Sequence, residues 1–427
     1  MPQSRLIIIG IVFVIIVAAV LLFTGVIPGL QSKTPPPVPL TVWGVFEDKG
    51  AFENIAKLVG PEFVVTYTNF NIQTYENDLV NALAAGKGPD IFMIHSSWLP
   101  KHYEKLVPVA DTQLTLTNLR SLFPTVVEQD FAPDGAIFAL PLYIDTLSLF
   151  YNTDHFDDAN VPFPPTTWDE FQELIPKLRK VDAGGKIVRA GAAIGGGNAN
   201  VNRASDLLSL LFLQSGVEMT APDFGRATFA GKGKDTVAFY TKFGNAANPY
   251  YTWSDNFKNS IDGFADGSIS MMINYAHQIP VIKTKNPFLH FAVSPVPQPA
   301  NTDQKVSYAS YWGLAVSNGS RRPISSWNFI ARFLTNTQTV QSYTSGVNRI
   351  PALRSLVTTA SADPELGPFA SQVLTARSWP QVDASAVETI FSDMIESIIH
   401  GELTIDKALK QAEEAVSALM LERNKNI

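Results

Sequence analysis

The stretch AIFALPLYIDTLSLFYNTDHFDDANVPFPPTTWDEF, Ala136–Phe171, decides how this chain is divided. Ala136–Leu140 and Leu147–Tyr151 are short apolar, β-prone runs of the kind that bury as strands. Between them Pro141, Tyr143 and Asp145 interrupt the apolar character. Asn152, Asp154, Asp157, Asp158 and Asn160 then mark a turn-rich loop, and Pro162, Pro164 and Pro165 stop any regular element. Thr167 followed three residues later by Glu170 fits a capping box, which predicts a helix starting at Trp168. A polar break holding an aromatic and a carboxylate between two buried strands is costly inside one core. It makes sense where the chain crosses from one lobe to another, with Tyr143 and Asp145 facing the cleft.

Working outward, 427 residues can fill more than one core, and two lobes of about 150–200 residues each is the natural division. Hydrophobic residues make up 46% and charged residues 17%, the balance of a folded protein. The net charge is −7 and no basic stripe occurs, which argues against a nucleic-acid partner. There is no cysteine, so disulfides, thiolate metal sites, cysteine nucleophiles and cysteine lipidation are excluded.

Leu6–Phe23 is a charge-free apolar run preceded by Arg5. It is long enough to span a hydrocarbon core of ~30 Å, and Arg5 keeps the short end in the cytoplasm. A cleaved signal is the competing reading, but Thr24-Gly25-Val26 is a poor cleavage site. The expectation is a single anchor in the cell membrane with the bulk of the chain on the extracytoplasmic face. Gln31–Pro39 (QSKTPPPVP) then reads as an extended spacer.

From Leu40 onward strands and helices alternate. Leu40–Val45, Phe63–Tyr67 and Asp90–His95 read as strands, with helices begun at Ala51 and Tyr75. This predicts an α/β layer on a mostly parallel sheet, with ligands beyond the strands' carboxyl ends. Phe46, Glu47, Asp48, His95, Ser96 and Trp98 stand there. Further on, Trp168–Arg179, Ala204–Gln214, Phe257–Phe264, Ser326–Leu334, Ala384–His400 and Thr404–Glu422 read as helices. Ser268–Asn274, Leu289–Val296 and Tyr308–Ser317 read as strands, the last a second crossing, with Asn348-Arg349-Ile350-Pro351 a third. Gly195-Gly196-Gly197-Asn198 lacks the lysine frame of a phosphate loop and reads as a flexible loop, with Asn198 or Asn200 a polar contact.

Taken together, GPDIFMIHSSWL (Gly88–Leu99), FALPLYIDTLSLFYN (Phe138–Asn152), PTTWDEF (Pro165–Phe171), FADGSISMMIN (Phe264–Asn274), VSPVPQP (Val293–Pro299) and SYWGLAVS (Ser310–Ser317) resemble the family-one extracellular solute-binding proteins. These are the sugar-type receptors of ABC importers, a group that includes maltose-binding protein. The likeness runs in order from about Leu40 to Leu421. It implies a periplasmic-binding-protein-like α/β fold with two lobes joined by three crossing segments and closing by hinge motion. Residues 1–30 are then the anchor and 31–39 the linker. The first lobe is 40–144 with 310–347, and the second is 145–309 with 348–427. The resemblance places Asp48, Lys49, His95, Ser96, Trp98, Tyr143, Asp145, Tyr275, Tyr311 and Trp312 near the cleft. It also implies a small-molecule carbohydrate ligand, permease subunits of an importer as partners, and a monomer.

A sugar site needs flat aromatic surfaces for C–H faces and planar polar groups for hydroxyls. Trp98, Tyr143, Tyr275 and Trp312 each end or start a strand beside polar residues, with core burial as the alternative for each. Glu47, Asp48 and Asp145 can accept hydroxyl protons, Arg349 can clamp a polar group or tie the hinge, and Asn274 ends a strand. No cofactor, metal spacing or nucleophile elbow is present, and the expectation is a binding protein without enzymatic activity. A polyamine, metal-chelate or peptide receptor remains the alternative within the same fold. A glycan hydrolase using Asp48 and Asp145, or a sensor subunit, remains outside it.

Overall fold

Four strands of one sheet end at a common edge. In the computed structural model, which describes residues 3–23 and 36–425 with side chains over 10–21 and 36–421, Val38–Gly44, Phe63–Asn69, Ile91–His95 and Ala139–Pro141 all run toward that edge. Trp312–Val316 enters between the last two and runs back, so Trp312 pairs with His95. Ile91, Phe92, Met93 and Ile94 are all buried, as expected for a sheet covered on both faces. Lys49–Val59, Ile72–Ala84 and Pro323–Thr335 are among the covering helices. Gly313 is needed at its position: a Cβ there would stand 2.6 Å from the Leu140 carbonyl oxygen.

From Pro141 the chain passes through Asp145–Thr146 and then enters a second sheet at Ser148. That sheet is antiparallel, with Ser148–Asn152 flanked by Met271–Asn274 and Phe291–Pro295. The expectation of mostly parallel strands therefore describes the first sheet only. Phe150 packs its ring against Phe264, Phe291 and Phe369 there. The helices Ala204–Gln214, Lys234–Thr241, Ala384–Ile399 and Ile405–Lys425 pack on one another beside it.

A short ribbon links the two sheets. Asp145–Thr146 pairs antiparallel with Ala309–Ser310, and Ser307–Tyr308 pairs parallel with Ala376–Arg377. Ile144 N–H donates to the Ile350 carbonyl at 3.1 Å, which brings the segment after Asn348 alongside. The run Tyr308–Ser317 is thus two strands, Ser307–Ser310 in the ribbon and Trp312–Val316 in the first sheet, broken at Tyr311.

Local signals account for several element ends. Thr167 and Glu170 form the expected capping box. The helix expected over Phe257–Phe264 starts only at Ser260, because Asn259 caps it by accepting from Ile261 N–H. The Gly195–Asn198 segment is not loose. Gly195, Gly196 and Gly197 are buried, and a Cβ on Gly197 would lie 2.5 Å from Ser392 Oγ.

Gln3–Phe23 is helical. Among the described residues no helix is long and apolar enough to cross a membrane; side chains 10–21 cover about 18 Å of axis. Residues 31–35 of the expected linker lie outside the described residues.

Candidate functional site

The strand ends of the first sheet carry an aromatic wall. His95 closes its strand, Trp98 precedes the short helix Leu99–His102, and Trp312 opens the strand paired with His95. The Trp98 and Trp312 rings meet edge to face at 5.0 Å, and His95 lies 5.2 Å from Trp312. Phe46 stands 5.7 Å from Trp312 with its ring half exposed. Its φ of 75° lies in the left-handed region, which a bulky residue rarely adopts. Behind them Tyr75 is fixed by donating to the Met93 carbonyl at 2.9 Å, and its ring lies 6.1 Å from Trp98.

The opposing wall is polar. Tyr275 donates its hydroxyl to Asp206 Oδ2 at 2.8 Å and lies over His277 at 5.7 Å. The Arg203 guanidinium sits over the Tyr275 ring at 5.7 Å, within 4.0 Å of Asp206 and 3.8 Å of Glu388. Arg203 is also left-handed, with φ 67°, and its buried Nε has no hydrogen-bond partner. Backbone strain and an unmatched buried donor together mark a position held for function rather than stability. Burial, then repulsion from Asp206, pushes the Glu388 carboxyl up to about 7 despite Arg203. Burial also raises Asp206. His95 is held down to about 3 by burial and by the Arg203 charge, so its ring is neutral at physiological pH.

His95 Nε2 is 3.0 Å from Ser310 Oγ, at the end of the ribbon, while Nδ1 is 2.8 Å from Ser97 Oγ. His95, Ser97, Arg203, Asp206, Ser310 and Glu388 line one cavity of ≈ 40 Å³. That holds a water or two, against the ~300 Å³ or more of a typical small-molecule site. A sugar-sized solute therefore requires the walls to part. Lys101, on the aromatic side, bridges Glu76 at 3.0 Å and Asp383 on the other side at 2.9 Å. These groups are about one-third exposed, so the bridge is weak and can open.

The other expected site residues divide by what their side chains touch. Asp145 is buried, and its oxygens accept from the backbone of Thr146, Ala276 and His277, so it anchors the loop carrying Tyr275. Tyr143 is buried beneath Arg349, whose guanidinium lies 5.5 Å from its ring. Glu47 is buried and accepts from the Tyr343 and Tyr67 hydroxyls at 2.6 and 3.2 Å. Burial raises its pKa against those bonds. Asp48 is exposed and caps Lys49–Val59. Asn274 pairs with Asn202 at 2.9 Å. Asn198 pairs with Ser205 and ties the glycine segment to Ser392. Ser96 is buried and its N–H donates to the Tyr311 carbonyl.

Tyr311 faces away from the aromatic wall and donates to Asp130 Oδ2 at 2.7 Å, where the Ser378 hydroxyl also binds. Burial pushes the Asp130 carboxyl up to about 7, whereas unfolded it ionises near ~3.9. The native state thus keeps a proton that the unfolded chain releases. Its contribution is full below about pH 4 and is lost as pH rises through about 7, roughly 4 kcal/mol by pH 8. Asp130→Asn is expected to raise the thermal midpoint at pH 8 and leave it nearly unchanged at pH 4. A variant no more stable than the parent at pH 8 in thermal melts would rule this out.

Arg203, Asp206, His277, Ser310 and Glu388 were absent from the sequence-based set. The available signal was the small and polar run GGGNANVNRASD (Gly195–Asp206) leading into an apolar helix, the pattern of a chain segment shaped to approach something closely.

The aromatic wall stands at the strand ends of the first sheet and the charged residues on or just before the helices Ala204–Gln214 and Ala384–Ile399, within an α/β fold of two sheets joined by a short ribbon. The chain belongs to the bacterial extracellular solute-binding protein family, whose model matches residues 51–368. Membership implies an extracytoplasmic position for that body. The maltotriose-binding protein of Pyrococcus abyssi is 22% identical over 302 residues, 68% of this chain and 60% of that protein. The chain thus spans about three-fifths of that relative's length. The mannitol-binding protein of Pseudomonas aeruginosa is 22% identical over 335 residues, covering 71% and 73%. Among solved structures, the cyclic α-maltosyl-1,6-maltose binding protein of Arthrobacter globiformis matches with a TM-score of 0.76 at 19% identity, covering 90% of this chain and 100% of that one. The sugar-binding protein MalE of Xanthomonas citri matches at 0.76 and 19%, covering 91% and 99%. At such identity these structures establish the shared α/β fold. The relatives named here are binding proteins rather than enzymes.

Proposed function

We propose that this protein captures a carbohydrate, an oligosaccharide in particular, between two lobes and delivers it to the permease of an ABC importer. The observation that carries this reading is the Phe46–Trp98–Trp312 cluster at the strand ends, joined through His95, which lines one cavity with Arg203, Asp206 and Glu388. Aromatic faces take sugar C–H surfaces, and fixed polar groups take hydroxyls. The names of the maltotriose- and mannitol-binding relatives support the same ligand class. The lobes are residues 40–144 with 310–347, and 145–309 with 348–427. Ligand contacts made by both walls stabilise the closed arrangement over the open one, and this chain breaks no bond.

In the same reading Leu6–Phe23 anchors the receptor, a monomer, in the membrane. The exposed apolar side chains from Ile11 to Val17 support it.

Titration calorimetry against maltotriose, mannotriose, mannitol and spermidine tests the ligand class. Saturable heat from a glycan, with none from spermidine, is expected. Binding of spermidine alone would transfer the cleft to a cationic solute held by Asp206 and Glu388.

A further inference from the structure

The polar cavity does not end at Ser96 and Asp130. Both residues also line a second, larger cavity of ≈ 330 Å³ beside it. Its walls come from both sides of the cleft. Leu99, Pro100 and Phe138 belong to the side of the first sheet, and Phe224, Val382 and Met420 to the other. Lys101 and Asp383, the residues next to Pro100 and Val382, form the ion pair across the cleft, so the chamber takes its walls from both sides.

The chemistry of the chamber differs from that of the cleft. Gln129 already donates to the Ser378 carbonyl at 2.6 Å. Asp130 is taken by Tyr311 and Ser378. A sugar ring placed there would meet mostly carbon, with Ser96, Gln129, Asp130 and Asp134 as polar groups in the lining, so most of its hydroxyls would lose water contacts without replacement, a loss of the kind that opposes burial. An apolar ring would surrender nothing and bury carbon surface on both sides. Phe224 strengthens the point: it holds a left-handed φ of 53° in a tight turn while its side chain lines this chamber, a strained conformation for an aromatic residue.

We propose that the chamber is an aglycone subsite, so that the preferred solute is a glycoside carrying an aromatic or similarly apolar group on its sugar part. This rests on the carbohydrate reading of the cleft and adds to it a ligand class that the polar walls alone do not select. The sugar would lie against Trp98 and Trp312, and its apolar substituent would pass Ser96 into the chamber.

Calorimetry on the full chain with maltotriose and with 4-nitrophenyl α-maltotrioside provides the test. The aryl glycoside is expected to bind at least tenfold more tightly. Val382→Trp, which fills the chamber from a half-buried position, is expected to abolish that advantage while changing the maltotriose Kd less than twofold. Equal affinity for the two probes, or an advantage that survives Val382→Trp, would overturn the subsite. If maltotriose gives no heat, the carbohydrate reading fails separately, and crystals soaked in 4-nitrophenol decide the chamber. A ring between Leu99 and Met420 upholds an apolar subsite, and a chamber without one overturns it.

Discussion

Arg203→Met is expected to weaken binding of the cognate glycan by at least a hundredfold and to lower stability more at pH 8 than at pH 5. The guanidinium lies beside both Asp206 and Glu388, at 4.0 and 3.8 Å. Removing one member of a buried charge cluster commonly costs ~3–5 kcal/mol. Here Arg203 and Glu388 keep 36% and 43% of their side-chain surface exposed, so solvent screening brings the expected figure to about 1–3 kcal/mol. The pH dependence follows from the carboxylates. Both have native pKa values raised by burial, Glu388 to about 7. Their ionised forms already oppose folding, and losing Arg203 leaves their mutual repulsion uncompensated. Protonation below about pH 5 removes that repulsion, so the deficit shrinks as pH falls.

Arg203→Lys separates the two effects. It restores charge and most of the stability, but a lysine lacks the planar fork that fixes hydroxyl directions, so affinity should stay low. Calorimetry and melts on both variants check this. Undiminished glycan affinity in Arg203→Met would remove Arg203 from the site.

The contrast between Arg203 and Tyr311 shows what was legible in the chain. The polar breaks at Asp145, Tyr311 and Asn348 could be read because a break in an apolar run has few uses inside a single core, and each lies beside the linking ribbon. Trp98 and Trp312 were legible as strand-end aromatics. Tyr311 was grouped with Trp312 although adjacent residues of an extended chain point to opposite sides; one entered the wall and the other reached Asp130. Asp48 carried an N-cap signal ahead of its helix, and that local role is what its carboxylate performs. Asn198 and the glycines beside it looked mobile because packing partners far along the chain, Ser392 and Gly244, leave no trace in local composition. For the same reason Arg203, Asp206 and Glu388 could not be assembled from sequence. Their significance arises from a juxtaposition of residues nearly two hundred positions apart.

Phe46→Gly is expected to move affinity and stability independently, which a residue serving only the fold would not do. Phe46 holds φ 75° with its ring half exposed against Trp312. Glycine adopts that backbone without steric cost, relieving about 1–2 kcal/mol. Against this, glycine enlarges the unfolded ensemble by about 0.4–1 kcal/mol, and a half-exposed ring contributes modest packing. The opposed effects leave stability within about 1 kcal/mol of the parent. Affinity has no such compensation. Losing one aromatic face of the wall removes about 2 kcal/mol of contact with a sugar ring, or ~30-fold in Kd. Thermal melts and glycan titrations on the same preparation measure both quantities. A glycan Kd unchanged in Phe46→Gly would show that the ring lies outside the contact surface. A large fall in melting temperature would show instead that the strained loop is held in place by the Phe46–Trp312 contact, making Phe46 a structural support for the wall.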